Sequence, residues 1–141
     1  MMLRSLNAIR WAACTAAGCV YASGVFAVGF GIGTIRVLFL VPRVGAAVAV
    51  LSEAPVMLAV SWSISKWVAK KFDLNADAHA SLLMGAIAFA VLMLAELGVS
   101  VFVFGNSMVQ HLAAYWSVPG AIGLAAQICF ATFPSLQASR S

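Results

Sequence analysis

The stretch from Ala80 to Phe104, ASLLMGAIAFAVLMLAELGVSVFVF, decides the fold class. It is one continuous apolar run, and its only charged side chain is Glu96. About 20 apolar residues in an α-helix are enough to cross the hydrocarbon core of a bilayer, which is about 30 Å thick. The strands of a membrane barrel would instead alternate apolar and polar residues, and this run shows no alternation,. The stretch therefore predicts a transmembrane helix.

The composition of the whole chain agrees with this prediction. Of its 141 residues, 64% are hydrophobic and only 9% are charged, whereas a soluble domain has about 25% charged residues. So few charges cannot cover a surface that faces water, which excludes a soluble enzyme and a nucleic-acid-binding domain. We therefore expect the lipid bilayer as the main partner, and no nucleic acid.

Three more apolar stretches are long enough to span a membrane,. The four predicted spans cover about residues 11–40, 44–68, 80–104 and 119–136. Pro42 and Pro119 stand where the second and fourth spans would begin, a position at which helices accept proline. The apolar run after Trp11 is too long for the hydrophobic part of a signal peptide. The predicted fold is a single all-α domain, an integral membrane four-helix bundle.

The segment between the third and fourth spans has a different pattern. Apolar residues from Met108 to Trp116 recur at helical spacing on one face, and the polar residues fall largely elsewhere. Such a pattern is typical of a short helix that lies in the membrane interface. A plain loop before the last span is the alternative.

Lys and Arg are divided unequally between the two ends of the predicted bundle. With four spans, one end carries six of them, namely Arg4, Arg10, Lys66, Lys70, Lys71 and Arg140. The opposite end carries only Arg36 and Arg43. Because positive charge is retained on the cytoplasmic side, both termini are expected in the cytoplasm.

Four polar side chains are predicted to lie inside the membrane, one on each span. They are Arg36, Glu53, Glu96 and Gln127. Counted from the predicted outer ends of their helices, all four lie roughly 9–15 Å deep, so they are expected at a similar level. Charged groups at such depth are costly unless they are paired, and they often mark a functional site. We predict an intramembrane polar cluster of these residues.

Glycines accompany the polar residues along the same helical faces. Gly29 and Gly33 share the face of Arg36, Gly85 shares that of Glu96, and Gly120 and Gly123 share that of Gln127. Small residues let membrane helices approach closely. These five glycines are therefore predicted packing positions. Because the polar residues share their helical faces, the polar cluster is expected to face the bundle interior or an oligomer interface.

The sequence offers little for catalysis. Cys14, Cys19 and Cys129 all lie in apolar stretches, and His79 and His111 are predicted near opposite ends of the membrane. No pattern typical of a metal site or of a nucleophile with its base is present. We expect no enzymatic activity, no metal and no cofactor.

The polar and glycine positions carry a resemblance to a known family. The matching residues are Gly29-Phe30, Gly33, Arg36, Pro42-Arg43, Glu53-Ala54-Pro55, Met57, Ser61-Trp62, Met84-Gly85, Ala88-Phe89, Leu92-Met93, Ala95-Glu96, Phe104-Gly105 and Gln127. In these residues the chain, from Gly29 to Leu136, resembles an uncharacterised family of small four-helix bacterial inner-membrane proteins. The resemblance implies that fold and a bacterial cytoplasmic membrane. It implies no activity.

Two functions remain open from the sequence. The chain is expected to be a transport-related or accessory membrane protein that works as a homo-oligomer or beside a larger membrane partner. The alternative is a structural or assembly protein whose buried charges only specify helix packing.

Overall fold

A computed structural model describes residues 2–72, 74 and 78–140, and their side chains at 10–72, 74 and 79–138. The helices are α1 (Met2–Ile35), α2 (Val41–Val44), α3 (Ala46–Lys71), α4 (Ala78–Gly98), α5 (Met108–Ala114) and α6 (Val118–Arg140). Two π-helical segments, π1 (Arg36–Leu40) and π2 (Val99–Val103), extend α1 and α4. The described residues form helices and no strands, so the all-α prediction is confirmed.

Four helical stretches are long and apolar enough to span a membrane, as predicted. They cover Arg10–Val44, Ala46–Lys71, His79–Val103 and Val118–Ala138. The first is longer than expected because π1 and α2 continue α1. At about 1.5 Å per residue, its 35 residues measure roughly 52 Å,. In a bilayer such a helix would tilt or extend beyond the hydrocarbon core.

The turn between the first two spanning stretches lies at Gly45, not at Pro42. Gly45 has a φ of 85°, a conformation that residues with a side chain rarely adopt. Its N–H donates to the Val41 carbonyl at 3.0 Å, and α3 begins at the next residue. Pro42 therefore lies in the last turn of the first helical stretch, and glycine makes the reversal.

A π-helical segment directly precedes Pro42. A proline has no N–H to donate to the carbonyl four residues earlier, and its ring crowds that carbonyl. In π1 the Val41 N–H donates to the Arg36 carbonyl instead. This longer repeat widens the helix just ahead of the proline. In π2 the Phe104 N–H likewise donates to the Val99 carbonyl, at 3.2 Å.

Each spanning helix packs against two others: α1 contacts α3 and α4, and α6 contacts the same two. The buried side chains concentrate where α1, α3, α4 and α6 meet around Cys14, Tyr21, Val68, Met84 and Phe130. We call this region the closed half. The Tyr21 ring stacks on the Phe130 ring, with centroids 4.1 Å apart, and fills the space between α1 and α6.

Two glycines allow the close crossings of the closed half. A Cβ on Gly85 would collide with the backbone carbonyl of Ala131, so α4 and α6 touch there through their main chains. A Cβ on Gly18 would lie 2.8 Å from the Ile87 side chain, where α1 crosses α4. Both contacts are examples of the small-residue packing that membrane helices use.

In the same region, Tyr21 supplies a hydrogen bond that Pro134 cannot make. Pro134 lies inside α6 and cannot donate to the Phe130 carbonyl four residues earlier. The Tyr21 hydroxyl donates to that carbonyl instead, at 2.7 Å. A hydrogen bond between helices therefore satisfies the acceptor that the proline leaves free, as buried carbonyl groups require.

A short helix precedes the last spanning helix, as predicted. The Ser107 side chain accepts a hydrogen bond from the Gln110 N–H at 3.1 Å, and the Ser107 N–H donates to the Gln110 side chain at 2.8 Å. This reciprocal capping box satisfies two backbone donors at the start of α5. Met108, Val109 and Leu112 of this helix are exposed.

Candidate functional site

The other half of the molecule encloses a cavity of about 550 Å³ between the four spanning stretches. We call this region the open half. Every spanning stretch contributes to the lining, including residues of π1 and π2. The predicted polar residues Arg36, Glu53, Glu96 and Gln127 all line it. Residues that are far apart in the sequence thus face one space.

Arg36 and Glu53 form an ion pair between π1 and α3. The Arg36 Nη1 atom lies 2.5 Å from the Glu53 Oε2 atom, and the two side chains are 26% and 10% exposed. Removing two charges from water is costly, and their mutual attraction offsets this cost only when the geometry is good. Each charge therefore depends on the other, and removal of one would leave an uncompensated charge in the cavity.

Glu96 has a neutral partner. The Gln127 Nε2 atom donates to the Glu96 Oε1 atom at 2.5 Å, which links α4 to α6. Within the described part of the chain, the Gln127 amide is the group that bonds to Glu96, and the Tyr115 hydroxyl lies nearby. Neither carries a positive charge. With Arg36 and Glu53 cancelling each other, an ionised Glu96 would give the cavity a net charge of about −1.

Gln127 has a second polar atom with no hydrogen bond. Its Oε1 atom is buried and lacks a partner among the described residues. An unsatisfied buried acceptor typically costs about 1–3 kcal/mol. This oxygen therefore lies beneath the surface of the cavity wall, whereas Glu96 and other atoms of Gln127 line the cavity.

The polar residues are arranged as two pairs around the cavity. The sequence predicts one polar cluster of the four residues, and the structure pairs Arg36 with Glu53 and Glu96 with Gln127. The depth argument from sequence gives a common level along the membrane axis. It carries no information on the position of each residue around the cavity, which decides the pairing.

Tyr115 joins the open half from the connection between α5 and α6. Its hydroxyl lies 3.2 Å from the His111 Nε2 atom and 3.7 Å from the Met93 sulfur. Burial raises the pKa of the Tyr115 hydroxyl, and the nearby Glu96 carboxylate raises it further. Tyr115 thus remains a neutral hydrogen-bond donor next to Glu96.

The five predicted packing glycines have different surroundings. Gly85 lies at the close α4–α6 crossing, and a Cβ on Gly120 would collide with the carbonyl of Ala114, in the segment that precedes α6. A Cβ on Gly29 would lie 3.3 Å from Met57 of α3. Gly33 faces its own neighbour Arg36, and a Cβ on Gly123 would meet nothing within 4 Å. Gly29, Gly33 and Gly123 line the cavity, where a missing side chain leaves space.

Four aromatic side chains complete the lining: Phe26, Phe30, Phe104 and Phe130. The sequence analysis named Phe30 and Phe104 only through the family resemblance, and it named neither Phe26 nor Phe130. Phe26 could have been found, because it continues the face of Gly29, Gly33 and Arg36 by steps of three or four residues. Phe104 follows the third spanning stretch and Phe130 lies in the fourth, and the sequence gives no direct indication that they share a space with Phe26.

The chemistry of the site is that of an apolar cavity with a few polar groups, a typical composition for a small-molecule site. Ser61 and Ser100 are the hydroxyl groups of the lining that are themselves buried. Ser100 accepts a hydrogen bond from the Asn106 side chain at 3.1 Å. Among the described residues, no three His, Cys, Asp or Glu side chains come together as metal ligands would.

Comparisons with protein-family models, with curated proteins and with solved structures found no match. The fold and the site therefore define the protein only as an all-helical chain with four helices that are suited to crossing a membrane.

Proposed function

We propose that this chain is a multi-pass protein of a bacterial cytoplasmic membrane and that it binds a substrate in the cavity of the open half as part of transport. The observation that carries the proposal is the convergence of Arg36, Glu53, Glu96 and Gln127 on one cavity of about 550 Å³. Small-molecule sites usually have volumes of about 300–1,000 Å³. Ionisable groups kept in the membrane interior are typical of substrate and ion pathways.

The orientation proposed for the chain follows the charges. Lys66, Lys70 and Lys71 are exposed at the end of α3, and the Lys71 ammonium lies 4.9 Å from the centre of the Trp67 ring. Trp and Lys at a helix end are typical of a membrane interface. Of the other charges used for this prediction, Arg10 is exposed near the start of the first spanning stretch, and Arg4 and Arg140 lie outside the residues with described side chains. Both termini are placed in the cytoplasm, and the open half faces the opposite side.

Reporter fusions test this orientation. A reporter that is active only in the cytoplasm is expected to give activity when it is fused after Asn75 or after Ser141, and none after Ser107. Asn75 and Ser141 lie outside the described residues, and their use as fusion points depends only on the order of the spans. Activity at Ser107, or none at Ser141, would contradict the topology.

The chain is proposed to work as a homo-oligomer or beside a larger membrane partner. Four helices form a narrow assembly, and the open half leaves large apolar side chains uncovered, among them Phe102, Phe104 and Trp116. In a bilayer, lipid or another helix covers such groups. Crosslinking in mild detergent is expected to trap a dimer or a larger species, and a uniform monomer mass in several detergents and in nanodiscs would contradict this.

A structural protein is the second candidate. The observation in its favour is that Arg36 and Glu96 each bond to a side chain of another helix, Glu53 and Gln127 respectively. Interhelical polar contacts of this kind can specify packing without binding anything. The two candidates differ in whether water-borne molecules reach the cavity.

Cysteine accessibility separates the candidates. In a chain whose Cys14, Cys19 and Cys129 are replaced by alanine, Gly123→Cys places a thiol in the open space of the cavity. Gly98→Cys is the matched control, because a Cβ there also meets nothing within 4 Å and Gly98 does not line the cavity. Gly98 and Gly123 each lie five residues from the adjacent span ends Val103 and Val118, roughly 8 Å deep.

A membrane-impermeant maleimide is then applied to intact cells and to inside-out vesicles. Transport requires that Gly123→Cys reacts from both sides while Gly98→Cys stays unreactive. Reaction from one side only would reduce the role to ligand binding by an accessory protein. Unreactive thiols at both positions would favour the structural candidate.

A further inference from the structure

The cavity has a charge and a hydrogen-bonding pattern that select one class of ligand. We propose that it binds a monovalent organic cation with an apolar body and at least one N–H group, a primary or secondary ammonium. This inference rests on the proposed function, since it names the substrate class of the same cavity. It assigns the cationic head to Glu96, which Gln127 holds in place, and the body to the aromatic lining.

The charge argument begins with the fixed ion pair. Arg36 is compensated by Glu53 at 2.5 Å, so neither charge needs a ligand. Glu96 bonds only to neutral groups within the described chain. A carboxylate in a membrane interior is stable when a cation pairs with it or a proton neutralises it. The cavity with Glu96 ionised therefore complements one positive charge.

The hydrogen-bonding argument distinguishes an ammonium from a quaternary cation. The Gln127 Nε2 atom already donates to Glu96, which turns the Gln127 Oε1 atom away from that carboxylate and leaves it buried without a donor among the described residues. This hydrogen bond fixes the position of the Glu96 carboxylate. A ligand with N–H groups can donate to that carboxylate, whereas a quaternary ammonium offers no N–H and can pair with it only as a charge.

The rest of the lining describes the body of the ligand. The rings of Phe26, Phe30, Phe104 and Phe130 and the Met57 side chain line the cavity. They belong to the first, second and fourth spanning stretches and to the residue that follows the third. Aromatic rings stabilise apolar groups by burial, and they also attract cations that lie over their faces. An anion would meet Glu96 without a free cation to bind it, because Glu53 occupies Arg36.

A ligand series on the wild-type chain tests the proposal without any substitution. The probes are 2-(1-naphthyl)ethylammonium, its N-trimethyl analogue, the corresponding alcohol and the corresponding carboxylate. Equilibrium dialysis against the protein in lipid nanodiscs, corrected with empty nanodiscs, gives each affinity. The ammonium is expected to bind about tenfold or more tightly than the trimethyl analogue and the alcohol, and the carboxylate weakest. Equal affinity for ammonium and alcohol would overturn the proposal.

Substitutions assign the head group to its partners. Glu96→Gln is expected to weaken ammonium binding about tenfold or more and to leave alcohol binding within about twofold. Gln127→Leu is expected to weaken it as well, by a smaller factor. Gln137→Leu is the matched control: Gln137 is a buried amide on the same helix, but it bonds to Ser65 and Trp62 outside the cavity. Ammonium binding that survives Glu96→Gln would contradict the assignment.

The results separate this inference from the proposed function. If the thiol at residue 123 reacts from both sides but the wild-type chain shows no preference for the ammonium probe, the proposed transport function is supported and only the ligand class is wrong. Ammonium binding with a thiol that reacts from one side would keep the ligand class and remove transport. If a Glu96→Gln chain does not fold, the wild-type ligand series decides alone.

Discussion

The closed half and the open half are built from the same four helical stretches, yet glycine has opposite consequences in them. In the closed half, Gly85 brings α4 against the main chain of α6, and the Tyr21 and Phe130 rings fill the remaining space. In the open half, Gly123 has no neighbour within 4 Å of its absent Cβ and faces a cavity. Small residues close a gap when the backbones converge and enlarge it when they do not.

The helical geometry differs between the halves in a consistent way. The open half contains π1 and π2, which widen the helices and contribute Arg36 and Ser100 to the cavity. π-helical segments often occur at functional sites because the extra residue redirects side chains. In the closed half, Pro134 lies within a regular α-helix, and the Tyr21 hydroxyl bonds to the carbonyl that the proline leaves free.

The largest expected effect comes from filling the close crossing. Gly85→Ala places a methyl group against the Ala131 carbonyl, and because that atom is backbone, the helices must separate. We expect a loss of about 1–3 kcal/mol or more in the free energy of unfolding. This loss is measured as a change in thermal stability in detergent, monitored through the fraction of protein that stays monodisperse.

Gly98→Ala is the control for this comparison. A Cβ at residue 98 meets nothing, so replacement of a helical glycine by alanine is expected to stabilise by about 0.5–1 kcal/mol. A lower free energy of unfolding for Gly85→Ala and a higher one for Gly98→Ala would support the contrast between the two glycines. A stabilised Gly85→Ala chain would show that α4 and α6 do not cross closely.

The next effect in size tests the two polar pairs. Glu53→Gln leaves Arg36 uncompensated, and the loss of a polar contact between membrane helices typically costs about 0.6–2 kcal/mol. Adding Arg36→Gln removes the orphaned charge, so partial rescue is expected. Combining Arg36→Gln with Glu96→Gln is expected to give nearly additive effects, since Arg36 pairs with Glu53.

Glu96→Gln alone separates a binding residue from a packing residue. If Glu96 is kept to bind a ligand, its replacement is expected to leave thermal stability unchanged or raised, because functional acids are often retained at some cost in stability. A clear loss of stability would instead assign Glu96 to helix packing. Strong coupling between Arg36 and Glu96 would contradict the pairing described here.

Much of the fold was predictable because apolar run length decides helix number in a membrane protein. The four spanning stretches and the helix before the last span follow from runs such as Ala80–Phe104 and from the spacing of Met108–Trp116. The turn at Gly45 was not identified. A proline near a helix boundary can lie at the start of the next helix or in the last turn of the previous one. Pro42 lies in the last turn of the first helical stretch.

The candidate site was predictable in membership and not in its pairing. Charged and amide side chains are rare in apolar runs, so the sequence could select Arg36, Glu53, Glu96 and Gln127. Their depth in the membrane could be counted at about 1.5 Å per residue from each predicted helix end. Which glutamate meets Arg36 is a tertiary property, because α1 packs against both α3 and α4. Arg36 lies in π1, and π1 packs against α3, the helix of Glu53.

A smaller effect is expected from the hydroxyl that links α1 and α6. Tyr21→Phe keeps the ring stack on Phe130 and removes the donor to its carbonyl. The expected loss is about 1 kcal/mol, the usual contribution of one hydrogen bond. In a Pro134→Ala background the main chain regains an N–H that can donate to the same carbonyl, so Tyr21→Phe is expected to cost less. An equal cost in both backgrounds would mean that the proline does not create the need for Tyr21.

The smallest effect is expected at the start of α5. Ser107→Ala removes the side-chain half of the capping box, so the Gln110 N–H loses its acceptor. Loss of a capping residue usually costs about 0.5–2 kcal/mol. The helix has only seven residues, too few to be stable without its caps and contacts, so the loss is expected as local opening. Hydrogen exchange should therefore accelerate in residues 108–114 and stay unchanged in the closed half.

Ser63→Ala is the control, because Ser63 bonds to the Ala59 carbonyl within α3 and caps no helix end. Faster exchange throughout α6 after Ser107→Ala would show instead that α5 supports the last spanning helix.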